Sequence, residues 1–193
     1  KYGGHAMINK DLAESFSKDI GLLKEVGINP IIVHGGGPQI SKMLKKKNIK
    51  SQFIEGLRIT DSKTIKVVKD VLTKDINQKI VNNINFSGGK CIGLSGHNKK
   101  LIEAKKLDMK KFILISKNTK LDIGFVGKPI NFNVQIIKNC IKKGLIPVIA
   151  PLGRDKKNNI YNINADTVAG FIAGKMKASK LLLLTDVSGI LDE

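Results

Sequence analysis

The chain has 193 residues, 41% of them hydrophobic, which is enough for a core of ordinary domain size, and 34 Lys+Arg against 16 Asp+Glu leave a formal charge of +18. No apolar run approaches the roughly 18 residues of a membrane span and no signal-peptide pattern opens the chain, so the expectation is a soluble, cytoplasmic protein with no membrane partner. The charge suggests nucleic acid, but only Arg58 and Arg154 are arginines, and the lysines are spread over many segments with few aromatics between them; a solvated lysine-rich surface is the simpler reading.

In chain order, Leu12, Phe16, Leu23 and Val26 recur at helical spacing behind an Asn9 cap, and Gly27 ends that helix. Residues 30–33 are short and β-branched, as in a buried strand. After His34-Gly35-Gly36-Gly37, Pro38 fits a first helical turn, with Ile40, Met43 and Leu44 following. Thr60 is placed to cap a longer helix whose stripe is Ile65, Val68, Leu72, Ile76, Ile80 and Ile84, stopping at Gly88-Gly89.

Cys91-Ile92-Gly93-Leu94 then resumes a strand, and residues 112–125 read as a hairpin. A helix through Val134, Ile137 and Ile141 ends at Gly144, and residues 146–150 form another buried strand. Asn164 or Asp166 caps a helix over 167–176, and residues 181–184 form a last core strand. This alternation predicts an α/β fold with an open, mainly parallel sheet between helices. Cys91 and Cys140, far apart, are read as buried apolar residues, and Lys1-Tyr2-Gly3-Gly4 and Ile190-Leu191-Asp192-Glu193 both read as cut ends.

Glycines stand at two strand ends, Gly3-Gly4 and Gly35-Gly36-Gly37, and glycine backbone before a helix is either a tight turn or a phosphate cradle. Neither the Walker loop nor the dinucleotide spacing is present. Arg58, in a chain that otherwise uses lysine, is either a structural arginine bonding carbonyls or a planar fork for a carboxylate ligand. Lys1 taken alone is a surface lysine, Asp166 a helix cap, and Arg154 a surface residue. His5, His34 and His97 show no metal-ligand spacing, and no metal site is assigned to side chains.

Together, Lys1-Tyr2-Gly3-Gly4-His5-Ala6-Met7, His34-Gly35-Gly36-Gly37-Pro38, Gly56-Leu57-Arg58-Ile59-Thr60, Asn162-Ile163-Asn164-Ala165-Asp166 and Thr185-Asp186-Val187-Ser188-Gly189-Ile190 resemble the amino-acid kinase family, and within it the kinases of N-acetylglutamate. The resemblance implies phosphorylation of the side-chain carboxylate of N-acetyl-L-glutamate by ATP with Mg²⁺, in arginine biosynthesis. By motif, Lys1 resembles the transition-state lysine and Asp166 the carboxylate that orients it; Gly36, Gly37, Arg58 and Asn162 match substrate contacts, and Gly3, Gly4, Gly36 and Asp186 the phosphate and nucleotide side. Residues 1–175 would form the acyl-amino-acid lobe and 176–193 the start of the nucleotide lobe. The family's second catalytic lysine and most adenine contacts would lie beyond Glu193.

The resemblance also implies a homo-oligomer, dimeric or hexameric. The rival readings are family members acting on aspartate, glutamate, carbamate or a nucleoside monophosphate, and a non-catalytic basic protein that binds anions or nucleic acid.

Overall fold

The computed structural model describes residues 1–3, 7–109 and 122–185. A parallel sheet runs through its middle in the order β1 (Ile32–Val33), β7 (Ile146–Ala150), β4 (Cys91–Ser95). Tyr2 extends it, bridging in parallel to His34 on one side and to Leu184 on the other. Side chains alternate across a strand, so Ile32, Val148 and Ala150 join one core, whereas Val33 and Ile149 join the other.

On the first face lie α1 (Lys10–Glu25), α2 (Gly37–Lys46) and a long helical segment made of α3 (Ser62–Asp70), a π-helical turn (Val71–Ile76) and α4 (Asn77–Phe86). On the second lie α5 (Val134–Lys142) and α6 (Ala165–Met176) with a four-stranded sheet, in the order β6 (Gly127–Phe132), β5 (Ile102–Lys106), β8 (Leu152–Arg154), β9 (Ile160–Asn162). The outcome is a layered α/β fold with helices on both faces of a parallel sheet, as the alternating periodicity requires. No helix among the described residues is long and apolar enough to cross a membrane.

Asn9 caps α1, accepting from the Leu12 N–H at 3.1 Å. The apolar stripe predicted there needs correction: Leu12 and Val26 are exposed, and the helix packs through Ala13, Ile20 and Gly21, with Phe16 stacked on Tyr2 at 3.8 Å between ring centroids. Asp61 rather than Thr60 caps α3, because its carboxylate reaches the Thr64 N–H at 2.7 Å while Thr60 Oγ1 turns back to donate to the Arg58 carbonyl.

All six stripe residues from Ile65 to Ile84 are buried. Successive four-residue steps drift by about 40° on an α-helix. The π-helical turn, with its i→i+5 bonding, winds less per residue and keeps Leu72, Ile76 and Ile80 on one face.

The predicted hairpin at 112–125 falls largely on 110–121, outside the described residues. A tight hairpin does occur between β2 (Phe53–Ile54) and β3 (Leu57–Arg58), through Glu55 and Gly56 at positive φ. Residues 181–184 are not a core strand: Leu184 N–H bonds the Lys1 carbonyl at 2.9 Å, but Leu182 is 61% exposed and its neighbours are similar. Arg154, expected at the surface, is half-buried at the end of β8. Cys91 and Cys140 are buried free thiols, and burial pushes Cys91 up to about 12.

Candidate active site

A pocket of about 220 Å³ opens beyond the carboxyl ends of β1 and β7, where the chain leaves the sheet as Gly35-Gly36-Gly37 and as Pro151. Its wall brings together Lys1, Gly36, Gly37, Arg58, Asn162 and Asp166, residues up to 165 positions apart in the chain. Gly3, the third residue of the same Lys1 segment, is not part of that lining and packs against the Leu184 carbonyl. Gly4 and Asp186 lie outside the described residues.

Lys1 Nζ is 3.2 Å from Asp166 Oδ1. The pair is asymmetric: the lysine side chain is 15% exposed and the carboxylate 47%, so solvent screens the acid while the ammonium is held on the pocket wall. Asp166 is free for this because it is not the cap of α6. Asn164 is, its Oδ1 accepting from the N–H groups of Asp166 at 2.9 Å and Thr167 at 3.0 Å.

Arg58 is buried where the β2–β3 hairpin meets α2. Its guanidinium donates to the Gly37 carbonyl at 3.0 Å, to Ser41 Oγ at 2.9 Å and to Ser51 Oγ, and lies 4.4 Å over the Phe53 ring. Among the described residues it forms no ion pair with a carboxylate. Burial pushes its pKa below the usual arginine value, since a desolvated cation without a counter-charge is disfavoured. An anionic ligand in the pocket would supply that charge. Asn162 lines the same space, its backbone N–H bonded to Phe125 O at 2.9 Å.

Gly36 precedes α2 and no side chain among the described residues caps this helix, which leaves its first N–H groups suited to an anion. Gly36 has an extended φ of 172°, which any residue can adopt. What demands glycine is packing, because a Cβ there would sit 2.6 Å from Ile76 Cδ1 and 2.9 Å from Leu72 Cδ2. Gly36→Ala is therefore expected to destabilise the fold by about 1–3 kcal/mol, as overpacking of cores does, read as a lower urea midpoint at unchanged m-value. An unchanged midpoint would show that the loop has room to yield.

Just before this loop, His34 is fully buried, with Nδ1 at 2.9 Å from the Gly35 carbonyl and Nε2 at 3.1 Å from Asn77 Nδ2. Desolvation lowers its pKa from 6.5 to about 4, against a smaller upward pull from the Gly35 carbonyl. With the folded value below the unfolded one, stability is full above pH 6.5 and is lost as pH falls toward about 4, a total of about 3 kcal/mol. His97, which burial likewise lowers to about 4, adds a loss over the same window, so urea titrations at pH 7 and pH 4 should show a larger loss in the wild type than in His34→Asn; equal losses in both would remove His34 as a cause. His97 is also buried and is bonded to Ser95 Oγ at 2.6 Å, away from the pocket. His5 is outside the described residues.

Sequence reasoning overlooked Ser41, Ser51, Phe53 and Asn77, as well as the apolar wall of Ile40, Leu72 and Val126. The hairpin had a local signal in Gln52-Phe53-Ile54-Glu55-Gly56-Leu57-Arg58, two short apolar runs around a Glu-Gly turn, which would have set Phe53 opposite Arg58. Asn77, deep in a helical stripe, had none.

The family model described as the amino acid kinase family matches residues 1–193, and the chain belongs to that family. A protein named acetylglutamate kinase from Solidesulfovibrio magneticus is 52% identical over 193 residues, covering 100% of this chain and 65% of its own length. One of the same name from Zymomonas mobilis is 48% identical, again over 100% of this chain and 64% of its own length. The chain thus spans a little under two thirds of these relatives. The crystal structure of smu.665 from Streptococcus mutans UA159 superposes with a TM-score of 0.85 at 28% identity, over 99% of this chain and 73% of that one.

Proposed function

We propose that this protein transfers the γ-phosphoryl group of ATP to the side-chain carboxylate of N-acetyl-L-glutamate. The observation that carries the reading is the pairing, in one pocket lined by glycine backbone, of a buried arginine that has no carboxylate partner among the described residues with a lysine held by an acid. The relatives named acetylglutamate kinase support the choice of acceptor.

In this reading Arg58 and Asn162 hold the acceptor, and Gly36 and Gly37 face the moving phosphoryl group. Lys1 offsets the charge on that group, while Asp166 keeps the ammonium in place. A carboxylate is ionised at neutral pH, so no general base is required, and catalysis rests on alignment and charge. ATP brings Mg²⁺ on its phosphates, which neutralises charge on the phosphate oxygens. The Lys1 ammonium and the first N–H groups of α2 suit an anion of this kind. Gly3, Gly4 and Asp186 would belong to the phosphate and nucleotide side, residues 1–175 to the acceptor lobe and 176–193 to the start of the nucleotide lobe; the active form would be a homo-oligomer.

The test is ADP formation by the intact protein on a panel of N-acetyl-L-glutamate, L-glutamate, L-aspartate, carbamate and a nucleoside monophosphate. N-acetyl-L-glutamate should give the highest kcat/KM. Preference for another acceptor, or no turnover on any, refutes the assignment.

A further inference from the structure

We propose that Asn77 is a positioning residue for phosphoryl transfer: through His34 it holds the glycine loop so that the Gly36 N–H faces the pocket. This inference rests on the kinase reading above and names how its phosphate loop is held.

The hydrogen-bond chemistry leaves one arrangement. Asn77 Nδ2 lies 2.9 Å from the Val148 carbonyl, which only accepts, so the nitrogen of the side-chain amide must be on that side. The same nitrogen is 3.1 Å from His34 Nε2 and, at a longer 3.4 Å, from the Leu94 carbonyl; an amide nitrogen accepts no hydrogen bond, so Nε2 faces it as the bare nitrogen of a neutral ring. The ring proton therefore sits on Nδ1 and is donated to the Gly35 carbonyl at 2.9 Å. In a planar trans peptide the Gly35 C=O and the Gly36 N–H point in opposite directions. A carbonyl drawn inward to the buried ring turns the Gly36 N–H outward, and Gly36 lines the pocket.

The helix is shaped for this. Asn77 is the first residue after the π-helical turn, and two residues of that turn, Leu72 and Ile76, are those against which Gly36 packs. Gly93 on β4 leaves the space that Asn77 fills, since a Cβ there would collide with Asn77 Oδ1. The turn thus supports the loop at Gly36 by contact, and the residue that follows it supports Gly35 by hydrogen bonds through His34. Moving reacting groups by about 1 Å can cost on the order of a hundredfold in rate, which is why a residue that touches no substrate would matter here.

Two measurements test this on the intact protein. A long-range ¹H–¹⁵N spectrum of the histidine rings, with His34 identified by its disappearance in His34→Asn, should show protonated Nδ1 and bare Nε2 at pH 7. The opposite tautomer overturns the network, and this readout requires no turnover. Kinetics then test the role: Asn77→Leu and His34→Asn, which leave Arg58 and Asn162 in place, should each lower kcat by about tenfold to a hundredfold while the acceptor KM stays within about twofold. A lower melting temperature with wild-type kcat in the folded enzyme, or a change confined to acceptor KM, overturns the proposal. If the wild type turns over no acceptor, the kinase reading has failed, a result distinct from either outcome in the variants.

Discussion

Lys1→Ala is expected to lower kcat by about a hundredfold to a thousandfold, the loss seen when one preorganised donor to a developing charge is removed. The ammonium sits largely shielded on the pocket wall, 3.2 Å from Asp166, so it is aligned before reaction and needs no reorganisation. It should act on turnover more than on binding, because charge on the transferring group is redistributed in the transition state. The fold should survive: the Asp166 carboxylate left behind is about half-exposed and water can solvate it. Steady-state kinetics beside a thermal melt check both parts, and near-normal kcat with an intact fold would make Lys1 a bystander.

Arg58→Lys is expected to raise the acceptor KM by about tenfold to a hundredfold, equivalent to losing one hydrogen bond to a charged group at about 1.5–3 kcal/mol. A lysine has neither the planar fork for a carboxylate nor the face that covers Phe53. The KM for ATP should move much less. Because the guanidinium also bonds the Gly37 carbonyl and Ser41, a fall in kcat should accompany the change in KM. The two roles separate in the data: an arginine that only braced the loop would lower stability and kcat and leave the acceptor KM alone, and that outcome would remove Arg58 from the substrate site.

The fold was legible wherever one local rule decided it. Asn9 caps a helix because a short polar side chain before an apolar periodic run satisfies orphan N–H groups, the same rule narrowed the α6 cap to Asn164 or Asp166, and residues 146–150 are buried because an uninterrupted apolar run cannot face water. The errors arose where neighbours compete. Thr60 and Asp61 both suit the α3 cap, and the choice depended on the Arg58 carbonyl, which claims the Thr60 hydroxyl. Leu12 belongs to the helical period of α1, yet burial follows the partner surface, which here meets Ala13 and Ile20 instead.

The site divides in the same way. Residue chemistry alone singled out the glycine loops and the rare Arg58, and it was the resemblance of the ordered motifs to the amino-acid kinase family that made Lys1, Gly36, Gly37, Asn162 and Asp166 candidates. Only the tertiary structure decided which groups meet. Lys1 and Asp166 are 165 positions apart, and their 3.2 Å contact follows from the Lys1–Tyr2 segment pairing beside β1 while β9, in the other sheet, leads into the first turn of α6 at the same pocket. Likewise Phe53 becomes the platform for Arg58 through the hairpin, and Asn77 reaches His34 because a π-helical turn alters the rotation of a long helix. Local propensity acts over a few residues, whereas these contacts depend on the orientation of whole elements, which packing alone settles.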